Sequence, residues 1–177
     1  MEINDKYILS ELKSNREKGF RILMQKFKEP VYWHIRRLVV SHYDAQDIVQ
    51  ETFVKVFRSI DKFKGNSSLS TWIYKISTNE ALRFLNSKKV ENNNTDLPSD
   101  NMMEADTYVD YSDLEVVKLR DAILTLPKKQ QITFNLRYYD ELGYDEIAEI
   151  TESTSLSAKA NYHTAKEKIT KFMNSNY

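Results

Sequence analysis

The chain contains no cysteine, which excludes a disulfide framework and any Cys-ligated metal site. It has only three glycines and three prolines in 177 residues, little material for tight turns. Together with long segments of 3.6-residue apolar periodicity, that scarcity predicts an all-α fold. No apolar run approaches the length of about 20 residues that spans a bilayer. The opening residues MEINDKYILS lack the basic stretch and apolar core of a signal peptide, so a cytoplasmic protein is expected. Nor is there an excess of charge of either sign. The formal net charge is zero, which taken alone argues against a polyanionic partner.

The charge that is present is unevenly spread. Residues 1–90 carry 17 basic and 10 acidic side chains, a net of +7. Residues 91–113 carry 7 acidic side chains and no basic one, and residues 114–177 carry 9 of each. A basic module is thus joined to a balanced one through an acidic segment, and a hydrophobic content of 41% can supply each with a core. The segment 91–113 has no periodicity and reads as a flexible acidic linker. A basic module can meet a polyanion; an ordinary solvated surface accounts for the charge equally well.

In the first module, helices are expected over 5–14, 17–28 and 31–40, the latter two separated by Pro30. Asp44 is placed as the N-cap of the next helix. Its apolar stripe is Ile48, Val49, Thr52, Phe53, Val56, Phe57 and Ile60. Opposite that stripe lie Asp47, Gln50, Glu51 and Lys55. A further helix is expected over 69–88, with Ser68 as its cap and Leu69, Trp72, Ile73, Ile76 and Phe84 on one face. The loop before it contains Gly65, Asn66 and Ser67. Such a loop can simply cap a helix. It can also offer backbone and short side chains to something small and flat, with Gly65 allowing close approach. On the helix that follows, Lys75, Asn79 and Arg83 fall at intervals of one turn, with Asn86 beyond. Trp72 borders this stripe and the apolar face, and fits a core tryptophan as well as a stacking one.

In the second module, helices are expected over 114–126, 129–139, 144–150 and 155–173. A short helix, a tight turn and a longer helix in that order outline a helix-turn-helix. His34, His42 and His163 are scattered, and no acidic cluster has metal-loop spacing. No nucleophile, base and acid fall together. The chain is expected to be no enzyme, with no catalytic residue, metal or cofactor.

The stretch DAQDIVQETFVKVFRSIDKFKGNSSLSTWIYKISTNEALRFLNSKK resembles region two of bacterial RNA polymerase sigma factors of the extracytoplasmic-function (ECF) group. LRDAILTLPKKQQITFNLRYYDELGYDEIAEI, with KANYHTAKEKI after it, resembles region four of the same group. The resemblance implies residues 1–90 as a region-two domain, 91–113 as the linker and 114–177 as a region-four helix-turn-helix domain. It implies binding to core RNA polymerase through the β′ coiled coil and the β flap, with Asp47, Gln50, Glu51 and Lys55 on the β′ side. It implies capture of a flipped minus-ten base by Gly65, Asn66, Ser67, Ser68 and Asn79, with Lys75 and Arg83 on phosphates and Trp72 available for stacking. It implies minus-35 contacts by Ser157, Lys159, Asn161, His163 and Lys166, with Lys168 and Lys171 completing the basic set.

The chain departs from the family pattern at Glu152, where glycine is usual, and at Ser155 and Ala158, where larger apolar residues are usual. With no net positive charge on the module, minus-35 reading is expected to be weak. A separate DNA-bound recruitment factor would then contact Tyr138, Tyr139, Asp140 and Glu141. An anti-sigma factor is a further expected partner. Two rival functions are a helix-turn-helix regulator that never binds polymerase and a helical protein-interaction module without DNA contact.

Overall fold

A computed structural model describes residues 3–94 and 113–175. Among these are α1 (Asp5–Ser14), α2 (Arg16–Val39), α3 (His42–Ser59), a 3-10 turn (Ile60–Lys62) and α4 (Leu69–Asn94). After them come α5 (Leu114–Leu124), α6 (Lys128–Tyr138), α7 (Tyr144–Ile150) and α8 (Ser155–Asn174). No strand occurs among the described residues, so the all-α expectation holds. The chain divides into two compact units, Met1–Leu97 and Pro98–Tyr177.

In the first unit α2 packs against α1, α3 and α4. Its buried residues Leu23, Phe27, Val31, Ile35 and Leu38 recur at intervals of three and four, a stripe that runs the length of the helix. Asn4 and Asn15 cap α1 and α2, accepting the N–H groups of Tyr7 at 2.9 Å and Lys18 at 3.0 Å. Gly19 lies where these two helices cross. A Cβ there would sit 2.3 Å from the Leu12 backbone nitrogen, so only glycine permits the approach.

Three expectations about element ends are corrected. Pro30 does not divide the helix: α2 is continuous from Arg16 to Val39. Pro30 is exposed, so the backbone group its missing N–H leaves open can reach water, while burial on both sides of it keeps the helix together. Asp44 is not the cap of α3. Ser41 is, its hydroxyl accepting the Asp44 N–H at 3.3 Å, and Asp44 falls in the first turn. Finally, α4 passes the expected end at Lys88 and continues to Asn94. At the other side of the expected linker, Asp113 caps α5, accepting from Glu115 and Val116 at 3.0 and 3.3 Å. The remainder of that segment, 95–112, lies outside the described residues.

In the second unit α8 packs against α5, α6 and α7. Ala122, Ile123, Leu126, Phe134, Ala165 and Ile169 form its buried cluster, flanked by Leu119, Tyr162, Phe172 and Met173. The short α7 opens with the Gly143 N–H held by the Glu146 carboxylate at 2.9 Å. The turn after it brings the Ser153 N–H to the Ala148 carbonyl at 2.9 Å. Thr154 caps α8, accepting the Ser157 N–H at 3.1 Å. The turn requires a left-handed residue, and Glu152 supplies it at φ 51°. Val40 (φ 67°) and Glu141 (φ 55°) do the same elsewhere. Each such non-glycine residue costs about 1–2 kcal/mol.

Candidate functional site

The loop between Lys62 and Leu69 is clamped at both ends by residues distant in sequence. At its start, Arg16 donates to the Phe57 carbonyl at 2.6 Å and pairs with Asp61 at 2.6 Å. The same guanidinium lies 4.6 Å from the Phe57 ring centroid. At its end, the Leu69 N–H, one of the orphan donors of a helix N-terminus, donates to the Asp5 carboxylate at 2.8 Å. Lys26 stands 3.5 Å from that carboxylate and balances it. Ser68 accepts the Thr71 N–H at 3.0 Å, so it is the cap that the sequence predicts.

Within this frame, Gly65 and Asn66 are exposed and Ser67 is half-buried. Gly65 adopts φ +74°, and a Cβ there would meet nothing within 4 Å. Its glycine serves the left-handed turn rather than close packing inside the protein. Trp72 is half-buried against Phe63, their ring centroids 5.3 Å apart. Its ring is therefore both a packing element and an edge of the loop. Along α4, Lys75 is half-buried while Asn79, Arg83 and Asn86 are exposed. Gly65, Asn66, Ser67, Ser68, Trp72, Lys75, Asn79 and Arg83 all belong to one loop and the helix it leads into.

On α3, Asp47, Gln50 and Glu51 are exposed and Lys55 is half-buried. Glu80 of α4, 7% exposed, pairs with both Lys55 and Arg83. Burying a carboxylate is expensive unless it is paired, and two cations from two helices meet that need here. Arg83, expected on DNA phosphates, and Lys55, expected on the polymerase side, thus share one anion. An open groove of about 380 Å³ between α3 and α4 is lined by Asp47, Ile48, Glu51, Glu80, Arg83, Phe84 and Ser87. Lys88 closes one end of the helix pair, 2.7 Å from Asp44. Sequence reasoning missed Asp5 and Arg16, which look like ordinary surface charges of their own helices. Glu80 had a signal: it is an acid set within a basic stripe.

In the second unit, Ser157, Lys159, His163 and Lys166 are exposed and Asn161 is half-buried near the edge of the face. Ala158 is buried, and the Ser155 hydroxyl donates to Asp145. Their small size lets α8 sit close to α7 without the larger apolar residues expected there. Tyr138 and Tyr139 are 52% and 41% exposed, with ring centroids 4.9 Å apart. Among the described residues no group of three His, Cys, Asp or Glu could hold a metal ion. None of their helices is long and apolar enough to cross a membrane.

Comparison with known proteins identifies the family and the fold. Residues 23–90 match the Sigma-70 region 2 family and residues 117–169 match Sigma-70, region 4. The chain is 26% identical to the ECF RNA polymerase sigma-E factor of Haemophilus influenzae over 179 residues, covering 95% of this chain and 94% of the relative. It is also 26% identical to the ECF RNA polymerase sigma-E factor of Escherichia coli K12, covering 95% and 93%. The fold is similar to the sigma factor RpoE in complex with the anti-sigma factor NepR from Bartonella quintana. That likeness has a TM-score of 0.76 at 20% identity, over 90% of this chain and 99% of that one. CnrH in complex with the cytosolic domain of CnrY gives 0.73 at 15% identity, over 98% and 99%.

Proposed function

The chain belongs to the sigma-70 family, in its extracytoplasmic-function group, and from that premise we propose a division of labour among its residues. The protein is a transcription initiation factor and not an enzyme: it binds core RNA polymerase and directs promoter-specific initiation. Its place of work is the cytoplasm. The exposed face of α3, with Asp47, Gln50, Glu51 and Lys55, docks on the β′ coiled coil. The loop from Gly65 to Ser68, with Asn79, takes up a base flipped from the minus-ten element. Flipping costs a few kcal/mol, which hydrogen bonds and stacking must return.

The observation that carries this reading is the double clamp on the loop. Asp5 on α1 holds the residue that follows the loop and Arg16 on α2 holds the 3-10 turn that leads into it, and a loop framed in this way keeps its exposed polar groups in position for a ligand. A helix-turn-helix regulator that never meets polymerase would have no use for it. Capture of core polymerase by the full chain, followed by a promoter-opening assay, tests the proposal. Alanine at Asn66 or Asn79 should leave core binding intact and reduce opening. Wild-type opening by both variants would reject the pocket.

The second unit reads the minus-35 element weakly. Residues 114–177 carry no net charge, and phosphate neutralisation supplies most non-specific affinity. Glu152 is exposed in the turn before α8, adding a negative charge where phosphates would lie. Promoter choice then rests on the minus-ten element, or on a DNA-bound factor that contacts Tyr138, Tyr139, Asp140 and Glu141. Scrambling the minus-35 sequence should lower transcription by less than about tenfold, roughly 1.4 kcal/mol. A larger loss would reject weak reading. An anti-sigma factor is a further partner, as for the Bartonella quintana protein.

A further inference from the structure

The face of α8 that points away from the second unit has an apolar centre. Ala158, Ala165 and Ile169 are buried and mark the inner side of the helix. On the opposite side lie Leu156, Ala160, His163 and Glu167, at i, i+4, i+7 and i+11, and all four are exposed. Leu156 is 78% exposed in the first turn of the helix. Lys159 and Lys166 are exposed on one flank, and Ser157 and Thr164 lie on the other. In a helix-turn-helix the N-terminal part of the second helix meets base edges. Guanine and adenine are commonly read there by Arg, Lys, Asn or Gln. None of these stands at Leu156 or Ala160, the first two central positions.

We propose that Leu156 and Ala160 are specificity-determining residues that read the C5-methyl groups of thymine in the major groove of the minus-35 duplex. Among the base edges exposed there, thymine alone offers an apolar group. The two side chains stand one turn apart, so they span adjacent base pairs. Lys159 and Lys166 supply the complementary charge for one phosphate strand. Glu167 lies on the same face two turns beyond Ala160, so its negative charge confines the proposed base contacts to the N-terminal half of α8. The proposal rests on the reading of α8 as the minus-35 helix. It also fits the weakness of that reading, because a methyl contact gives base preference without the salt-dependent affinity that lysines and arginines bring.

The test uses holoenzyme reconstituted from the full chain and core polymerase, on promoters randomised through the minus-35 region, with the transcripts sequenced. The expected result is enrichment of thymine, on either strand, at two neighbouring positions. Replacing those thymines by deoxyuracil removes only the methyl groups. It should lower transcription about twofold to threefold per methyl, short of the roughly fourfold of a fully buried methyl-sized group, so that the pair together stays within the tenfold limit. The Leu156→Ala protein changes an exposed residue to a good helix former and should fold normally. It should lose the difference between thymine and deoxyuracil at one of the two positions, the one Leu156 meets, and keep it at the position assigned to Ala160. A wild-type protein that treats the two bases alike overturns the proposal, as does a Leu156→Ala protein that keeps the full difference. Footprinting separates the two levels. Protection of the minus-35 region without a methyl effect overturns only the methyl reading, whereas no protection and no enrichment removes the assignment of α8 as well.

Discussion

Two parts of this molecule have the same local plan, a short loop feeding a capped helix, and they are built differently. The segments flanking the loop from Gly65 to Ser68, at Phe57, Asp61 and Leu69, are held by partners 41 to 64 residues away in sequence, through Arg16 and Asp5. The turn from Thr151 to Thr154 is held by near neighbours: Ala148 through Ser153, Thr151 against Ser153, and Asp145 against Ser155. The first uses glycine where its backbone is left-handed, and the second uses Glu152 there. The first belongs to a module with net charge +7, the second to one with none. The difference teaches where precision is invested: long-range clamps accompany the loop proposed to hold a single base, and local contacts suffice for a helix proposed to lie weakly in a groove.

The contrast can be broken most severely at the base-contacting groups themselves. Replacing Asn66 and Asn79 together by alanine should reduce promoter opening by tenfold to a hundredfold, in line with about 1–3 kcal/mol for base contacts. Core binding measured in parallel should not change. Next comes the clamp. Asp5→Ala leaves the Leu69 N–H without its carboxylate and Lys26 without its anion, and should cost about 1–2 kcal/mol in urea denaturation. Its promoter opening should fall further than its core binding. Equal loss of both would mean that Asp5 only stabilises the fold. On the other side, Glu152→Gly relieves a left-handed non-glycine residue and should stabilise the second unit by about 1 kcal/mol. A lower melting temperature would show that contacts of the Glu152 side chain outweigh the strain. The smallest effect is expected at the exposed face of α3. Asp47→Lys and Glu51→Lys should alter stability by about 0.5 kcal/mol or less while weakening binding to core polymerase. Unchanged core affinity would move that interface elsewhere.

Most of the helical plan was legible in the sequence because the apolar spacing is regular. The bounds of α1 and α7 agree with expectation residue for residue, Asp5–Ser14 and Tyr144–Ile150, since each begins beside a clear capping or turn residue. The joins were less legible. Pro30 reads as a break in any local rule, yet burial of Phe27, Val31, His34 and Ile35 on its two sides holds the helix through it. Asp44 and Ser41 are both good caps, and only the backbone distinguishes them. The loop and α4 residues of the candidate site were legible as a group because they are contiguous. Its supports, Asp5 and Arg16, were not, because no local pattern links a carboxylate on the first helix to an N–H 64 residues on. Leu156 was passed over because an apolar residue on a helix is ordinarily expected inside, and here it stands out.

The separation between Asp5 and Leu69 also sets an order of events during synthesis. At about 5–20 residues per second, the 64 residues between them take roughly 3–13 s to make. During that interval α1 and α2 can pair across Gly19, since both are complete once Val39 has emerged. The time available therefore allows the carboxylate that fixes the start of α4 to be in place on a preformed hairpin when Leu69 leaves the ribosome. A nascent chain interrupted between Val39 and Lys64 would carry both helices of the hairpin and no base-binding loop at all.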